Sequence, residues 1–422
     1  MHRVIAALMA AASCASIAQA QEAPVVSPVA PFSLERALEL AGAAAPSIEA
    51  ASAGVRAAEA ARTVAGYRPN PTIVAETENV AGSGQYRGLR SAETTAGVAL
   101  PIELGGKRSA RIAVAEAQGS RAQIAAAIAA ADLRLAVTQA YVEAVAAERR
   151  LATARDQAGI AREALRAASV RVRAGRASPI EEQRADVLRI NAEAAVERAE
   201  RLTIVARDNL ARRVGQPITG ALDLAWLDRV EGYGPALSRE PIGTLALAAA
   251  QADVTTAAAQ VRLARSQRVP DVTVSASARR LEATNDVAAV FGVSIPFPVF
   301  NRGSAAVIQA SAQRDQAEAL RRVAELDAAQ ALGNAEAEVA NAATTARAAT
   351  GPALAAAQEA ARIARIGYRE DKFGQLDLLD AERTLSQTRT AAIDALAAYR
   401  DAQARRDRLA TPAPDFSKEP TR

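Results

Sequence analysis

The chain has 422 residues, half of them hydrophobic but only 3% aromatic, and alanine fills about a quarter of it. That length allows two or three ordinary domains, but aromatics supply much of the large buried surface of compact cores, and a chain rich in Ala, Arg, Glu and Leu favours long, closely packed helices instead. Fifty-one basic and 47 acidic residues leave a net charge of +4, which excludes the strongly basic domain that nucleic-acid binding needs.

Residues 1–20 read as a secretory signal peptide: His2 and Arg3, an apolar run from Val4 to Ala12, and Ala18-Gln19-Ala20 as the cleavage site. The apolar run is too short to span a bilayer. Cys14 offers a second reading as a lipidated cysteine, although Ala11-Ala12-Ser13 lacks the usual leucine before it. Cleavage after Ala20 removes His2, Cys14, Met1 and Met9, the only His, Cys and Met residues in the chain. The mature protein then lacks the commonest general base, thiol chemistry and soft metal ligands; carboxylate catalysis or hard-cation binding would need acids clustered in a pocket, so no metal site is expected and an enzyme is the least favoured class. Acids such as Glu193, Glu197 and Glu200 alternate with Arg198 and Arg201, the pattern of solvated helix faces.

Residues 21–31 are Pro-containing and expected to be extended. The rest divides into two diverged copies, 32–215 and 240–410, joined by a connector at 216–239 that carries Trp226 and Tyr233. Gly97-Val98-Ala99-Leu100-Pro101 matches Gly292-Val293-Ser294-Ile295-Pro296, and Ala177-Ser178-Pro179-Ile180-Glu181 aligns with Phe373-Gly374-Gln375-Leu376-Asp377. Copy one predicts a helix over 34–65, strands over 72–80 and 91–102 around a Gly-rich loop, a helix over 107–174 and a helix running to 214. Gly175 breaks the long helix, and Ser178 with Pro179 reads as N-cap and first turn of the next. Copy two predicts a helix ending near 267, strands over 271–281 and 287–297, helices from 304 with a kink or break at Gly351-Pro352, a turn at Gly374 and a last helix to 409. The tail, 411–422, is Pro-rich and expected to be disordered.

The strands alternate. Val272, Val274, Ala276 and Ala278 face one way; Asp271, Thr273, Ser275, Ser277 and Arg279 face the other; Ala289, Phe291, Val293, Ile295 and Phe297 share one face of the next strand. The segments have the length of transmembrane strands, and apolar-out, polar-in alternation suits a water-filled barrel. A small periplasmic sheet packed on helices fits the same pattern. Four strands cannot close a barrel, and lipid does not tolerate open edges, so spanning strands would have to be pooled: eight from two chains, twelve from three. A helix of about 65 residues extends about 100 Å, the scale of a span across the periplasm.

At this point the chain resembles outer-membrane efflux proteins of the TolC family, and within it the CzcC-like branch, the outer-membrane partners of heavy-metal pumps. The resemblance covers nearly all of the mature chain. It rests on the duplicated helix–strand–strand–helix–helix plan, on Pro69-Asn70-Pro71 and Glu76-Thr77-Glu78-Asn79, and above all on Glu103, Leu104, Gly105, Gly106, Lys107 and Arg108 following Pro101-Ile102. Phe300-Asn301-Arg302-Gly303-Ser304 matches the family's second-copy turn only in part. The resemblance implies a mainly α protein with membrane β structure: a homotrimer with a 12-stranded barrel in outer-membrane lipid, continued by a helical periplasmic tunnel. It implies a passive conduit, without cofactor or energy source of its own, docked to a periplasmic adaptor and an inner-membrane pump of the resistance-nodulation-division type.

The family's gate stretch matches Leu376-Asp377-Leu378-Leu379-Asp380-Ala381. Asp377 and Asp380 from three chains would form carboxylate rings that favour cations; as first-turn residues they also complement a helix N-terminus, and both readings can hold. The gate tyrosine matches Tyr368, whereas the arginine of that network falls on Phe373. The hairpin tips, Gly175, Ser178, Lys372 and Gly374, are the expected adaptor contacts, and Lys107 and Arg108 read as structural features of the barrel–tunnel junction. Divalent heavy metals are the expected cargo. The alternatives are the same channel serving drug efflux or type I secretion and, more remotely, a periplasmic coiled-coil adaptor or structural protein.

Overall fold

A computed structural model describes residues 31–230, 243–370 and 372–414. The expected signal segment with Cys14, residues 21–30 of the expected extended segment, the connector around Tyr233 and the chain from 415 onward lie outside the described residues. Helix α1 (Leu34–Ala44) opens at Ser33, whose hydroxyl accepts the Arg36 N–H at 3.3 Å. The helical stretch expected over 34–65 consists of two helices. Ala45 is extended and Pro46 opens α2 (Pro46–Ala65), because proline drives the residue before it out of the helical region and lacks the N–H that an uninterrupted helix needs.

Strands β1 (Thr72–Glu78), β2 (Glu93–Ile102), β3 (Val272–Leu281) and β4 (Asp286–Ser294) form one antiparallel sheet in chain order. Asn79 and Asn285 adopt left-handed backbone (φ 57° each) where the chain leaves β1 and where it turns into β4, a conformation asparagine tolerates. β4 stops at Ser294 rather than near 297, because Pro296 and Pro298 cannot donate to a ladder.

The register puts Ile73, Val98, Ala276 and Phe291 in one row and Leu100, Val274 and Val293 in the next. These apolar residues lie on the open face: Ile73 is 87%, Phe291 81% and Val293 69% exposed. The opposite face carries Thr95, Gly97, Ala99, Ser275, Ser277 and Arg279, and there Thr95 and Ala99 are buried. Small residues and a close approach define that face: a Cβ on Gly97 would stand 2.2 Å from the Ser277 Cβ. A water-soluble sheet would show the reverse arrangement.

The helices are long. α3 (Lys107–Arg173, 67 residues) returns through α4 (Pro179–Val214, 36 residues). After α5 (Leu245–Ser266), the second copy runs through α6 (Ser304–Ala348, 45 residues), one π turn (Ala349–Ala353), α7 (Leu354–Arg369, 16 residues) and α8 (Gln375–Leu409, 35 residues). The kink or break expected at Gly351-Pro352 takes the form of a π turn that keeps the chain helical. Gly106 and Gly303 stand at the N-termini of α3 and α6 with φ of 73° and 70°, so both copies make the strand-to-helix corner with the same left-handed glycine despite their different sequences.

The main core lies midway along the helices. Tyr141, Val145, Leu210, Val214, Leu227 and Tyr399 are buried there. Tyr141 meets Trp226 edge-on at 5.3 Å and donates to the Phe32 carbonyl at 2.8 Å, and Arg400 stacks over Trp226 at 4.5 Å. Tyr141, Tyr399 and Trp226 thus share one belt, while smaller clusters along the helices are built mainly on alanine, with Val261 and Leu385. The tail expected to be disordered from 411 is held at its start: Thr244 pairs with Pro412, and the Ala413 N–H donates to Gly243 at 2.7 Å.

Candidate functional site

Two regions contain the residues singled out by sequence. The first is the corner where β2 enters α3. Gly105 and Gly106 are both left-handed, and a Cβ on Gly105 would stand 2.6 Å from the Val269 Cβ; only glycine fits such a backbone at that approach. Lys107 pairs with Asp271 at 2.7 Å, and the same carboxylate oxygen accepts the Leu104 N–H at 3.1 Å. Arg111 grips Glu103 with both guanidinium nitrogens and also donates to the Tyr67 carbonyl at 3.1 Å. Arg108 donates to the Gly66 carbonyl at 2.5 Å. The corner thus ties β2 and α3 to the end of α2 and the start of β3. The hydrogen bond from Arg111 holds Glu103 below the usual carboxylate range. Burial pushes Asp271 upward, but the bonds from Lys107 and Leu104 outweigh it and leave Asp271 lowered as well.

The second region is the far end of the helices, where two hairpin turns meet. Gly175 (φ 68°) closes the α3–α4 turn. Ser178 occupies the N-cap position of α4, but its side chain makes no capping bond. In the other turn, the Lys372 and Phe373 N–H groups both donate to the Gly367 carbonyl, at 2.8 and 3.2 Å. The Phe373 ring folds over Gly367 so closely that a Cβ there would lie 2.2 Å from it. Lys372 pairs with Glu370 at 2.5 Å. Gly175, Ser178, Lys372 and Gly374 are all exposed.

Asp377 accepts the Gly374 N–H at 3.0 Å, which satisfies one of the orphan donors at the start of α8. Asp380, three residues on, lies on the same side of the helix, and both carboxylates are exposed while Gln375, Leu378 and Glu382 are buried. Tyr368 is apart from them. It packs with Ala364 and Leu378 beneath the Arg171 guanidinium, 4.9 Å from the ring centroid. An arginine does reach this tyrosine, from α3 rather than from position 373.

Other residues at this end carry no sequence signature of their own. Gln375 donates to the Glu181 carbonyl at 2.7 Å and joins the two turns. Arg365 holds the carboxylate of Glu382, whose side chain is 6% exposed, with two nitrogens, one at 2.9 Å. These two positions are equidistant from the turn at Phe373-Gly374, so folding the sequence as a hairpin about that turn would have paired them; nothing local marks Arg171. Above the turns, α3, α4, α7 and α8 enclose a cleft of about 1490 Å³ lined by Arg155, Arg166, Arg369 and Arg383 with Asp156 and Glu163.

A sheet whose exposed face is apolar, continued by helices far longer than a globular core needs, defines an outer-membrane channel with a helical tunnel. The comparisons with known proteins agree. The chain belongs to the outer membrane efflux protein family, whose model matches residues 37–216 and 237–409. It is 32% identical over 366 residues to the cobalt-zinc-cadmium resistance protein CzcC of Cupriavidus metallidurans, covering 85% of each chain. It is 32% identical over 291 residues to the nickel and cobalt resistance protein CnrC of the same organism, covering 68% of this chain and 66% of that one. Among solved structures, CusC, described for its transmembrane channel formation, superposes with a TM-score of 0.74 at 16% identity, covering 91% of this chain and 93% of that one.

Proposed function

We propose that three copies of this chain pool their sheets into one 12-stranded barrel and their helices into one tunnel, forming the outer-membrane conduit of a tripartite efflux system for divalent heavy-metal cations. The open four-stranded sheet supports pooling: β1 and β4 end it with unpaired edges, and edges do not persist in lipid. The likeness to CzcC across 85% of both chains carries the cargo. Asp377 and Asp380, exposed at the turn end, would form carboxylate rings that admit cations. Gly175, Ser178, Lys372 and Gly374 present the surface for a periplasmic adaptor, which in turn connects to an energised inner-membrane pump. The channel supplies no energy, and with no His, Cys or Met beyond residue 14 it leaves the choice of metal to the pump.

Growth of a deletion strain on graded zinc, cobalt, cadmium, nickel, copper and silver, beside a drug panel, tests the cargo. Sensitivity to divalent metals that the intact gene reverses supports the reading. Sensitivity to drugs alone would overturn the metal assignment and leave the channel.

A further inference from the structure

Between β4 and α6 the chain carries an apolar segment that the sheet does not use. Its exposure is extreme: Phe297 is 87%, Val299 58% and Phe300 102% exposed. Two features say what covers it. First, Phe291, Val293, Ile295 and Phe297 continue a single alternating row, so the segment prolongs the lipid-facing stripe of β4 beyond the last strand residue. Second, its backbone asks little of its surroundings. Pro296 and Pro298 have no N–H, and the Val299 N–H is already given to the Phe297 carbonyl at 2.9 Å, the bond of a three-residue turn; fewer free donors means less penalty in an apolar setting.

Charge points the same way. No acid occurs in the 28 residues from 287 to 314, and the first charged residue after the apolar run is Arg302, of the sign that phospholipid phosphates attract. The first copy differs at the matching place: Ile102 is followed at once by Glu103, clasped by Arg111, with no aromatic residue. The segment lies at the helix end of the sheet, so on the channel reading it faces the periplasmic leaflet. We infer that residues 295–302 form a membrane-interface hook, in which Phe297 and Phe300 enter the headgroup–acyl boundary of the periplasmic leaflet of the outer membrane. The inference rests on the outer-membrane channel reading. Girdles of aromatic residues flank the apolar band of outer-membrane barrels, and Phe enters the boundary from the apolar face of interfacial segments; one hook per chain fixes how deep the barrel sits.

Single tryptophans test this in the full chain. The native Trp226 serves as an internal control: it packs on Tyr141, about 50 Å along α3 from the sheet at 1.5 Å per residue. Phe291→Trp, Phe297→Trp, Phe300→Trp and the opposite-face control Val290→Trp are reconstituted in phosphatidylcholine–phosphatidylglycerol vesicles whose lipids carry bromine either near the headgroup or near the chain end. The hook predicts that Phe297→Trp and Phe300→Trp lose most of their added emission to the shallow bromine, Phe291→Trp to the deep one, and Val290→Trp and Trp226 to neither. If Phe291→Trp is quenched while both hook positions stay bright with either lipid, the hook is overturned and the segment is covered by a neighbouring copy. If Phe291→Trp also stays bright, the barrel reading itself fails.

Discussion

Asp271 and Glu103 show how single carboxylates hold the barrel to the tunnel. Both are held below their ordinary values. The stability they contribute is therefore complete above the ordinary carboxylate range, about pH 4, and is lost as pH falls through the lowered values. Asp271→Ala is expected to reduce stability by about 1–3 kcal/mol and to flatten the acid limb of a thermal-melt series between neutral pH and about pH 2; an unchanged acid limb would show that the clasp contributes nothing. At the turn end, Gly367→Ala must displace the Phe373 ring, since the new Cβ would lie 2.2 Å from it. It should destabilise the chain alone and be nearly neutral in a Phe373→Ala background. Equal losses in both backgrounds would place the conflict elsewhere.

At the scale of elements, much was legible because glycine and proline punctuate a helix-forming chain. Gly175 and Pro179 bracket the first turn, Gly106 opens α3, the Pro/Asn turn and the Gly-rich loop delimit β1 and β2, and period-two alternation marks β3 and β4. The helical stretch over 34–65 is divided at Ala45-Pro46, where proline moves the residue before it out of the helical region. Gly351-Pro352 announces the disturbance at Ala349–Ala353 but not its form, since Gly-Pro marks a kink or a break without saying which. The corner residues Glu103 to Arg108 were recognised as a unit, but their partners were not, since Tyr67 and Asp271 come from distant elements. The same limit hid Arg171 and Gln375, which act across two hairpins. The α7–α8 hairpin offers its own test. Arg365→Ala leaves the carboxylate of Glu382, 6% exposed, without its partner. Because Arg365 is itself 39% exposed, the expected loss is about 2–3 kcal/mol rather than the full figure for a deeply buried pair. Splaying of that hairpin would register as a higher open-channel conductance in planar bilayers, and an unchanged conductance would confine the pair to stability.

For the whole molecule, the open sheet makes assembly a requirement, not an option. One cysteine on the β1 edge and one on the β4 edge, in a chain whose own cysteine is replaced (Cys14→Ser), should give an oxidation ladder that ends at three chains; a ladder ending at two would refute the twelve-stranded barrel. Asp377→Asn with Asp380→Asn should reduce cation preference, seen as a reversal potential moved toward zero in a salt gradient. The outgoing arms of the two copies are matched in length: α3 has 67 residues, and the stretch from Ser304 to Arg369 has 66. The returning arms have 36 and 35. The copies have diverged in sequence while keeping equal struts, and at 1.5 Å per residue each strut is a ruler of about 100 Å. A channel built this way has a fixed reach from its membrane to its partners. Shortening one strut alone would set the turns at unequal heights around the rim, whereas whole-turn deletions matched in all the arms would yield a shorter channel with an even rim, able to work only where the gap it bridges is equally reduced.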